Sequence, residues 1–80
     1  MKLLYFAAVR EAVGKGEESL VLPVEVRTIG DLSRFLEEHR PELRGRLGSI
    51  RFAINESFVD PDAPVGPGDV VALIPPVSGG

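Results

Sequence analysis

Few side chains in this sequence could catalyse a reaction by themselves. Its 80 residues include a single histidine, His39, and no cysteine. The lack of cysteine excludes a thiolate nucleophile, cysteine metal ligands and disulfides. His39 comes at the end of a predicted helix, where a positive charge suits the helix dipole, so we interpret it as a capping or solvated residue. No base is evident for the serines, which are Ser19, Ser33, Ser49, Ser57 and Ser78.

The acidic residues and the glycine-rich turn are only weak indications of an ion or phosphate site. Asp60 and Asp62 could touch a cation, but two carboxylates without further ligands are a poor magnesium or calcium site. The stretch 66–69 lacks the lysine of a phosphate-binding loop and leads into a strand. We interpret Glu17–Glu18 and Glu37–Glu38 as solvated pairs. The sequence therefore predicts no metal site and no self-sufficient active site.

The remaining distinctive chemical group is the carboxylate of Gly80. It follows Pro75, Pro76, Val77, Ser78 and Gly79. The two prolines stiffen the segment, and the Gly-Gly end is thin enough for a narrow channel. When extended, these residues reach roughly 20 Å, at about 3.3 Å per residue. The alternative is an idle, frayed end of the chain.

A carboxylate is a poor electrophile, so a partner enzyme must activate it before it can transfer a group. Activation as an acyl-adenylate would consume ATP. A sulfur nucleophile could then displace AMP and leave a terminal thiocarboxylate, which carries sulfur in transferable form. Such a carrier needs a thin tip and docking surfaces rather than catalytic side chains of its own.

The composition is that of one small globular domain. The net charge is −3 and no basic stripe is present, which disfavours nucleic-acid binding. The apolar run at the N-terminus is too short for a signal peptide, and no segment has the length of a membrane span. With the absence of cysteine, these features lead us to expect a cytoplasmic protein without membrane or nucleic-acid partners.

Short apolar runs predict five strands around one main helix. The predicted strands are Leu3–Val9, Ser19–Leu22, Ile50–Asn55, Phe58–Val59 and Val70–Ile74. We expect the first two to pair antiparallel, because they are near in sequence. The last strand is apolar on both faces and is therefore predicted to be central. Between the first two strands, residues 10–13 could form one helical turn before a loop at Gly14 and Gly16.

The main helix has a clear start and end. Thr28 is a good N-cap, and Asp31 supplies a weaker version of the capping-box acid. The apolar stripe consists of Ile29, Leu32, Phe35 and Leu36. Pro41 stops the helix, and Leu43 and Leu47 could share one face of a short further turn.

These elements predict an α+β domain with a mixed sheet of about four to five strands and one main helix packed on one face. This is the β-grasp arrangement of ubiquitin. We expect residues 1–74 to form the domain and residues 75–80 to form a flexible C-terminal tail. If the first and last strands are neighbours, an apolar patch forms on the uncovered face from Leu4, Phe6, Val70, Ala72 and Ile74. Such a patch is a candidate partner surface.

Three segments resemble the small subunits of molybdopterin synthase. They are the ending 68–80 (GDVVALIPPVSGG), the opening 4–11 (LYFAAVRE) and the strand 52–55 (FAIN). The likeness spans nearly the whole chain, and its C-terminal motif is specific. In many relatives phenylalanines stand around Leu73 and Ile74, where this chain has aliphatic residues.

The resemblance implies a β-grasp sulfur carrier. An E1-like adenylyltransferase would activate Gly80 with ATP, and the carrier itself would bind no cofactor. Sulfur from the resulting thiocarboxylate would pass to a cyclic pyranopterin in the large subunit, within a heterotetramer of two small and two large subunits. Phe6 and Ile74 match apolar docking positions of the family, Arg10 matches a contact near them, and Leu4 and Ala72 are neighbours of these positions in the patch.

Other functions use the same tail. A carrier of this type could supply sulfur for thiamine thiazole or for thiolated tRNA. A ubiquitin-like modifier would instead join Gly80 to lysines of target proteins, although such modifiers usually approach Gly-Gly through a basic tail containing Leu-Arg rather than through Pro-Pro-Val. A plain binding module with an idle tail is the remaining alternative.

Overall fold

The computed structural model describes residues 1–76, which form a five-stranded mixed sheet crossed by one long helix. The strands are β1 Lys2–Tyr5, β2 Glu17–Ser19, β3 Arg51–Ile54, β4 Ser57–Val59 and β5 Val70–Ile74. The helices are α1 Ala7–Val13 and α2 Ile29–His39, with two short 3-10 helices at Pro41–Leu43 and Leu47–Ser49. The strand order is β2-β1-β5-β3-β4. The predicted α+β class and the β-grasp arrangement are confirmed.

Strand β5 lies at the centre of the sheet, as its two apolar faces predicted. It runs parallel to β1 and antiparallel to β3. Val71 and Leu73 are fully buried in the core. Their alternation with Val70, Ala72 and Ile74 places those three residues on the opposite face of the sheet. One strand therefore contributes to the core and to the uncovered face.

Helix α2 packs on the other face, and its N-terminus is capped as predicted. The Thr28 hydroxyl accepts from the backbone N–H of Asp31 at 3.2 Å, and the Asp31 carboxylate accepts from that of Thr28 at 3.2 Å. Both bonds of a capping box are thus present. Ile29, Leu32 and Leu36 form the buried face of the helix. Within residues 1–76, no helix combines the length and apolar character needed to cross a membrane.

Strand β1 is shorter than the predicted Leu3–Val9. Its pairing with β5 ends where Tyr5 lies opposite Leu73. Phe6 is still extended, but Ala7 has φ of 49° and turns the chain into α1. Helix α1 therefore begins three residues before the predicted turn at residues 10–13. Gly14, with φ of 89°, ends it in the left-handed conformation that glycine tolerates best.

Strand β2 is antiparallel to β1, as expected, but occupies Glu17–Ser19 instead of Ser19–Leu22. The register with β1 sets the end of β2 at Ser19, because Ser19 lies opposite Lys2, the first residue of β1. One further bond joins the Leu20 N–H to the Met1 carbonyl at 2.8 Å. Residues after Leu20 run past the start of β1, and the Val21 side chain is 91% exposed.

Strands β3 and β4 form a hairpin with a two-residue turn. Ile54 lies opposite Ser57, and both turn residues, Asn55 and Glu56, have positive φ. The predicted strand Ile50–Asn55 is therefore trimmed by one residue at each end. The Asn55 side chain also accepts from the Val70 N–H at 3.0 Å, which ties the turn to the start of β5.

Candidate functional site at the uncovered face of the sheet

The face of the sheet opposite α2 carries a depression that we call the apolar groove. It is lined by Leu4, Phe6, Ala53, Asn55, Glu56, Phe58, Val70, Ala72 and Ile74. All five residues of the predicted patch are among them. The parallel pairing of β1 with β5 brings them together, because it places Leu4 directly opposite Ala72. The groove therefore joins the strand that opens the chain to the strand that precedes the tail.

Phe6 is an exposed aromatic residue, as the sequence predicted. Its ring side chain is 45% exposed at the end of the groove. The residue keeps extended backbone angles, with φ of −122° and ψ of 150°, so it stays on the same face as Leu4. The Phe6 carbonyl accepts the N–H of Val9 at 3.0 Å, which anchors the residue to the first turn of α1.

The groove also contains an aromatic residue that the sequence reasoning missed. Phe58 on β4 is 54% exposed, and its pairing with Ala53 places it on the uncovered face. The Arg51 guanidinium lies 4.3 Å from the centre of its ring, a cation–π contact. No turn motif in the sequence indicated this placement, because Asn55-Glu56 is not the Asn-Gly or Asp-Gly pair typical of a two-residue hairpin. The positive φ of both turn residues is seen only in the structure.

Arg10 lies beside the groove and does not line it. It borders a neighbouring depression whose lining includes Leu4 and Phe6. Within residues 1–76, no carboxylate lies within 4.0 Å of the Arg10 guanidinium. The structure thus places an exposed positive charge next to the aromatic end of the apolar groove.

The first two residues of the predicted tail lie against the domain. Pro75 and Pro76 line a shallow groove together with Ala8, Val9 and Ile50, among other residues. The predicted roles of Val77, Ser78, Gly79 and Gly80 lie outside the described residues and stay predictions.

Glu18 is not the solvated residue that the sequence suggested. Its side chain is only 11% exposed, whereas that of Glu17 is 57% exposed. The Tyr5 hydroxyl and the Arg40 guanidinium both donate hydrogen bonds to the Glu18 carboxylate. The Lys15 ammonium group lies 3.1 Å from the same carboxylate. Glu18 therefore ties the end of β1, which leads into Phe6, to the C-terminal end of α2.

The ionisation of this cluster follows from its contacts. Burial alone acts to raise the pKa of the Glu18 carboxyl. Hydrogen bonds from Tyr5 and Lys15 and the positive charge of Arg40 outweigh burial, so the pKa of this carboxyl lies below its ordinary value. Burial and the hydrogen bond to Glu18 raise the pKa of the Tyr5 phenol, which keeps that hydroxyl as a donor.

The other candidate residues are not assembled into a site. His39 is exposed, as predicted, with Nδ1 2.9 Å from the Phe35 carbonyl oxygen and its ring stacked on that of Phe35. Asp60 and Asp62 lie in an exposed turn after β4. In the part of the chain that the structure describes, no group of three or more histidine or acidic side chains could hold a metal ion.

The sequence profile of the ThiS family matches residues 3–80. The chain belongs to this family. The molybdopterin synthase sulfur carrier subunit of Dictyostelium discoideum is 36% identical to this ThiS-family chain, over 99% of the chain and 94% of the relative. The human molybdopterin synthase sulfur carrier subunit is 34% identical, over 100% of the chain and 93% of the relative.

Solved structures agree with this membership. Subunit 1 of a putative molybdopterin converting factor from Pyrococcus furiosus has a TM-score of 0.81 and 28% identity, over 95% of each chain. A chain in the complex of subunits 1 and 2 of the molybdopterin-converting factor from Helicobacter pylori has a TM-score of 0.70 and 25% identity, over 99% and 96% of the two chains. The small archaeal modifier protein 1 of Haloferax volcanii has a TM-score of 0.79 and 26% identity, over 96% and 97%.

Proposed function

We propose that this chain is the sulfur carrier subunit of a molybdopterin synthase. The observation that carries the proposal is the position of β5. This strand is fixed in the core by Val71 and Leu73, lines the apolar groove with Ala72 and Ile74, and leads directly into the Pro-Pro-Val-Ser-Gly-Gly segment. The full-length similarity to subunits named as molybdopterin synthase sulfur carriers supports the same reading.

The chemistry would take place at the Gly80 carboxylate, in the active sites of partner enzymes. An E1-like adenylyltransferase would join a carboxylate oxygen to the α-phosphorus of ATP and release pyrophosphate. A sulfur nucleophile would then attack the acyl carbon and expel AMP, which leaves the thiocarboxylate. The carrier would bind no cofactor in this cycle, because ATP is used by the activating enzyme.

The apolar groove would dock the large subunit, which would receive the tail. Phe6 and Phe58 project exposed rings at this face, and aromatic residues are frequent anchors of protein interfaces. Arg10, beside Phe6, would add a charged contact at the rim. The Helicobacter pylori complex of two molybdopterin-converting subunits supports a partner of this kind. We propose an assembly of two small and two large subunits.

Within that assembly the tail would deliver sulfur to a cyclic pyranopterin. The thiocarboxylate sulfur would attack a carbon of the pterin side chain and displace an oxygen leaving group, which gives a thioester between carrier and pterin. Water would then attack the acyl carbon of Gly80 and break its bond to sulfur. The sulfur would stay on the pterin, and the carrier would return to its carboxylate form. Val77, Ser78 and Gly79 would occupy the channel of the large subunit, and their small size would allow a close fit. Pro75 and Pro76 would stiffen the start of the tail. We place this activity in the cytoplasm.

Intact-mass spectrometry tests the activation step. The purified chain is incubated with the E1-like enzyme of the same organism, ATP and a sulfide source. We expect one oxygen of the Gly80 carboxylate to be exchanged for sulfur, and no exchange when ATP is omitted. A variant that lacks Gly80 is the matched control. Failure of the intact chain to exchange under conditions that load a known sulfur carrier would refute the proposal.

A ubiquitin-like modifier is the second candidate function. The similarity to the small archaeal modifier protein 1 of Haloferax volcanii favours it, because that likeness spans 96% of the chain. Conjugates that survive denaturation and thiol treatment would support isopeptide bonds from Gly80. The sulfur-carrier function predicts a labile thiocarboxylate at Gly80 and no conjugates that survive this treatment. Carriers for thiamine or tRNA thiolation use the same activation, so only the acceptor of the sulfur distinguishes them.

A further inference from the structure

An exposed pair of arginines lies beside the base of the tail. Arg44 and Arg46 flank Gly45 between the two 3-10 helices, and we call these three residues the arginine turn. Leu43 and Leu47 on either side are 0% and 4% exposed, so both ends of the turn are anchored in the core. The Arg46 N–H donates to the Leu43 carbonyl at 3.0 Å. Both guanidinium groups are therefore carried on a fixed piece of backbone.

The arginine turn is adjacent to the residues that open the tail. Gly45 and Arg46 line the same shallow groove as Pro75 and Pro76. Gly45 has φ of 80°, a conformation that favours glycine and bends the chain tightly at this point. Any protein that receives the tail must approach this part of the surface.

The two charges are available for a partner. Within residues 1–76, neither Arg44 nor Arg46 has a carboxylate within 4.0 Å, whereas Arg34 and Arg40 are both paired. Segment 43–51 contains three arginines and no acidic residue. Two exposed acids lie near this segment in the chain or the fold: Glu42, which adjoins Leu43, and Glu11 on α1, the helix whose Ala8 and Val9 line the same shallow groove. The surface beside the tail is thus positive in a protein whose net charge is −3.

The opposite end of the sheet has more acidic than basic residues, and its Lys2, opposite Val70, is paired with Glu17 at 2.7 Å. Arg51 lies opposite Ile74 at the end of β5 that enters the tail. At the other end, Asp69 precedes β5 and Glu56 occupies the β3–β4 turn. Segment 55–69 contains four acidic residues and no basic one. A partner with a negative rim would therefore be attracted to the tail end and repelled from the far end.

We propose that the arginine turn is an electrostatic docking site for proteins that carry acidic residues around the mouth of a tail-binding channel. The inference rests on the proposed function, because only a tail-transferring carrier presents this end to successive partners. Exposed charges at the rim of an interface mainly raise the rate of association and set the orientation of the partners. The apolar groove would mainly determine how slowly the complex dissociates. The arginine turn would thus align Gly80 with the channel before the apolar groove contacts the partner.

The test compares two double charge reversals with the same change in net charge. The variant Arg44→Glu/Arg46→Glu alters the turn, and the control Arg27→Glu/Arg34→Glu alters exposed arginines around the start of α2. Association with the large subunit and with the E1-like enzyme is measured by stopped flow at low and high ionic strength. We expect the turn variant to associate at least about tenfold more slowly with one or both enzymes at low ionic strength, with a weaker salt dependence and little change in dissociation.

The outcomes separate this inference from the function on which it rests. Thermal denaturation of both variants first confirms that they are folded. If the wild-type chain binds and is loaded with sulfur but the turn and control variants associate equally fast with both enzymes, the docking inference is wrong and the function stands. If the wild-type chain neither binds nor is loaded, the proposed function fails and the inference falls with it.

Discussion

Leu73 and Ile74 are neighbours in the chain and face opposite sides of the sheet. Leu73 is fully buried in the core, and Ile74 lines the apolar groove. Because side chains alternate along a strand, these two consecutive residues place one side chain in the core and the next in the candidate docking surface. The tail begins at the next residue. The position of the tail relative to a docked partner is therefore set by the packing of the core.

This relationship predicts different effects for two similar truncations. Leu73→Ala should lower the free energy of unfolding by about 2–5 kcal/mol, because it leaves a cavity in the core. Ile74→Ala should cost much less stability, yet weaken binding of the large subunit by on the order of tenfold, as expected for loss of an interface anchor. Urea denaturation and calorimetric titration measure the two quantities. Equal losses of stability would contradict the assignment of faces.

Phe6→Asp should weaken docking and leave the fold intact. The substitution introduces a charge at an apolar contact, which costs binding free energy. The domain should tolerate it, because Phe6 is exposed and aspartate is a favourable residue at the N-cap position that it occupies. Binding to the large subunit is measured beside thermal stability.

Val24→Asp is the matched control for that experiment. Val24 is 88% exposed and does not line the apolar groove. The Val24→Asp variant should bind the large subunit as tightly as the wild-type chain does. If Phe6→Asp instead unfolds the domain, the assignment of Phe6 to the exposed face is wrong. If both variants bind normally, the groove is not the docking surface.

The faces of β5 and the cap of α2 could be predicted from sequence because they depend on local patterns. Alternation places Val71 and Leu73 in the core, and Thr28 and Asp31 satisfy each other within one helical turn. The limits of β1 could not be predicted in this way. They depend on where the pairing of β1 with β5 ends, at Tyr5 opposite Leu73, and on the positive φ at Ala7.

Glu18 should make the stability of the domain sensitive to acid. Its pKa is lowered in the folded state, so ionised Glu18 stabilises the fold at pH values above the ordinary pKa of glutamate. That contribution is lost as the pH falls through the lowered pKa. The unfolding free energy should therefore decrease on acidification in this range.

Glu18→Gln should remove part of this pH dependence. At neutral pH the variant should be less stable by about 1–3 kcal/mol, because the partners Tyr5 and Arg40 lose a charged acceptor. The difference from the wild type should shrink towards acidic pH. Asp31, whose pKa is also lowered, titrates in both proteins, so the comparison isolates Glu18. Parallel stability curves across the pH range would show that Glu18 does not titrate as described.

The β3–β4 turn predicts a stabilising substitution. Glu56 has φ of 75°, which disfavours residues with a Cβ atom, so Glu56→Gly should raise the free energy of unfolding by about 0.5–1 kcal/mol. Asn55→Gly should do the reverse, because it removes the side-chain bond to the Val70 N–H. Denaturant midpoints of the two variants test the pair. Destabilisation by Glu56→Gly would contradict the turn geometry.

The residues that the sequence reasoning missed depend on contacts with other elements. Phe58 joins the groove through its pairing with Ala53 on the neighbouring strand, and the Glu18 carboxylate is bonded by Arg40, 22 residues away. No pattern within a single stretch of the sequence indicates the placement of Phe58 or the burial of Glu18. The terminal glycines could be recognised as a candidate reactive end, because the rest of the sequence offers no competing catalytic group.

Transfer of sulfur from Gly80 is the central claim, and the intact mass of the chain after a complete reaction tests it most directly. The thiocarboxylated chain is mixed with the large subunit and a cyclic pyranopterin precursor, and its mass is followed while the dithiolene product is assayed. The account predicts that the chain returns to its carboxylate mass as product appears, and that the chain without Gly80 yields no product. Product formation without loss of sulfur from the loaded chain would contradict it.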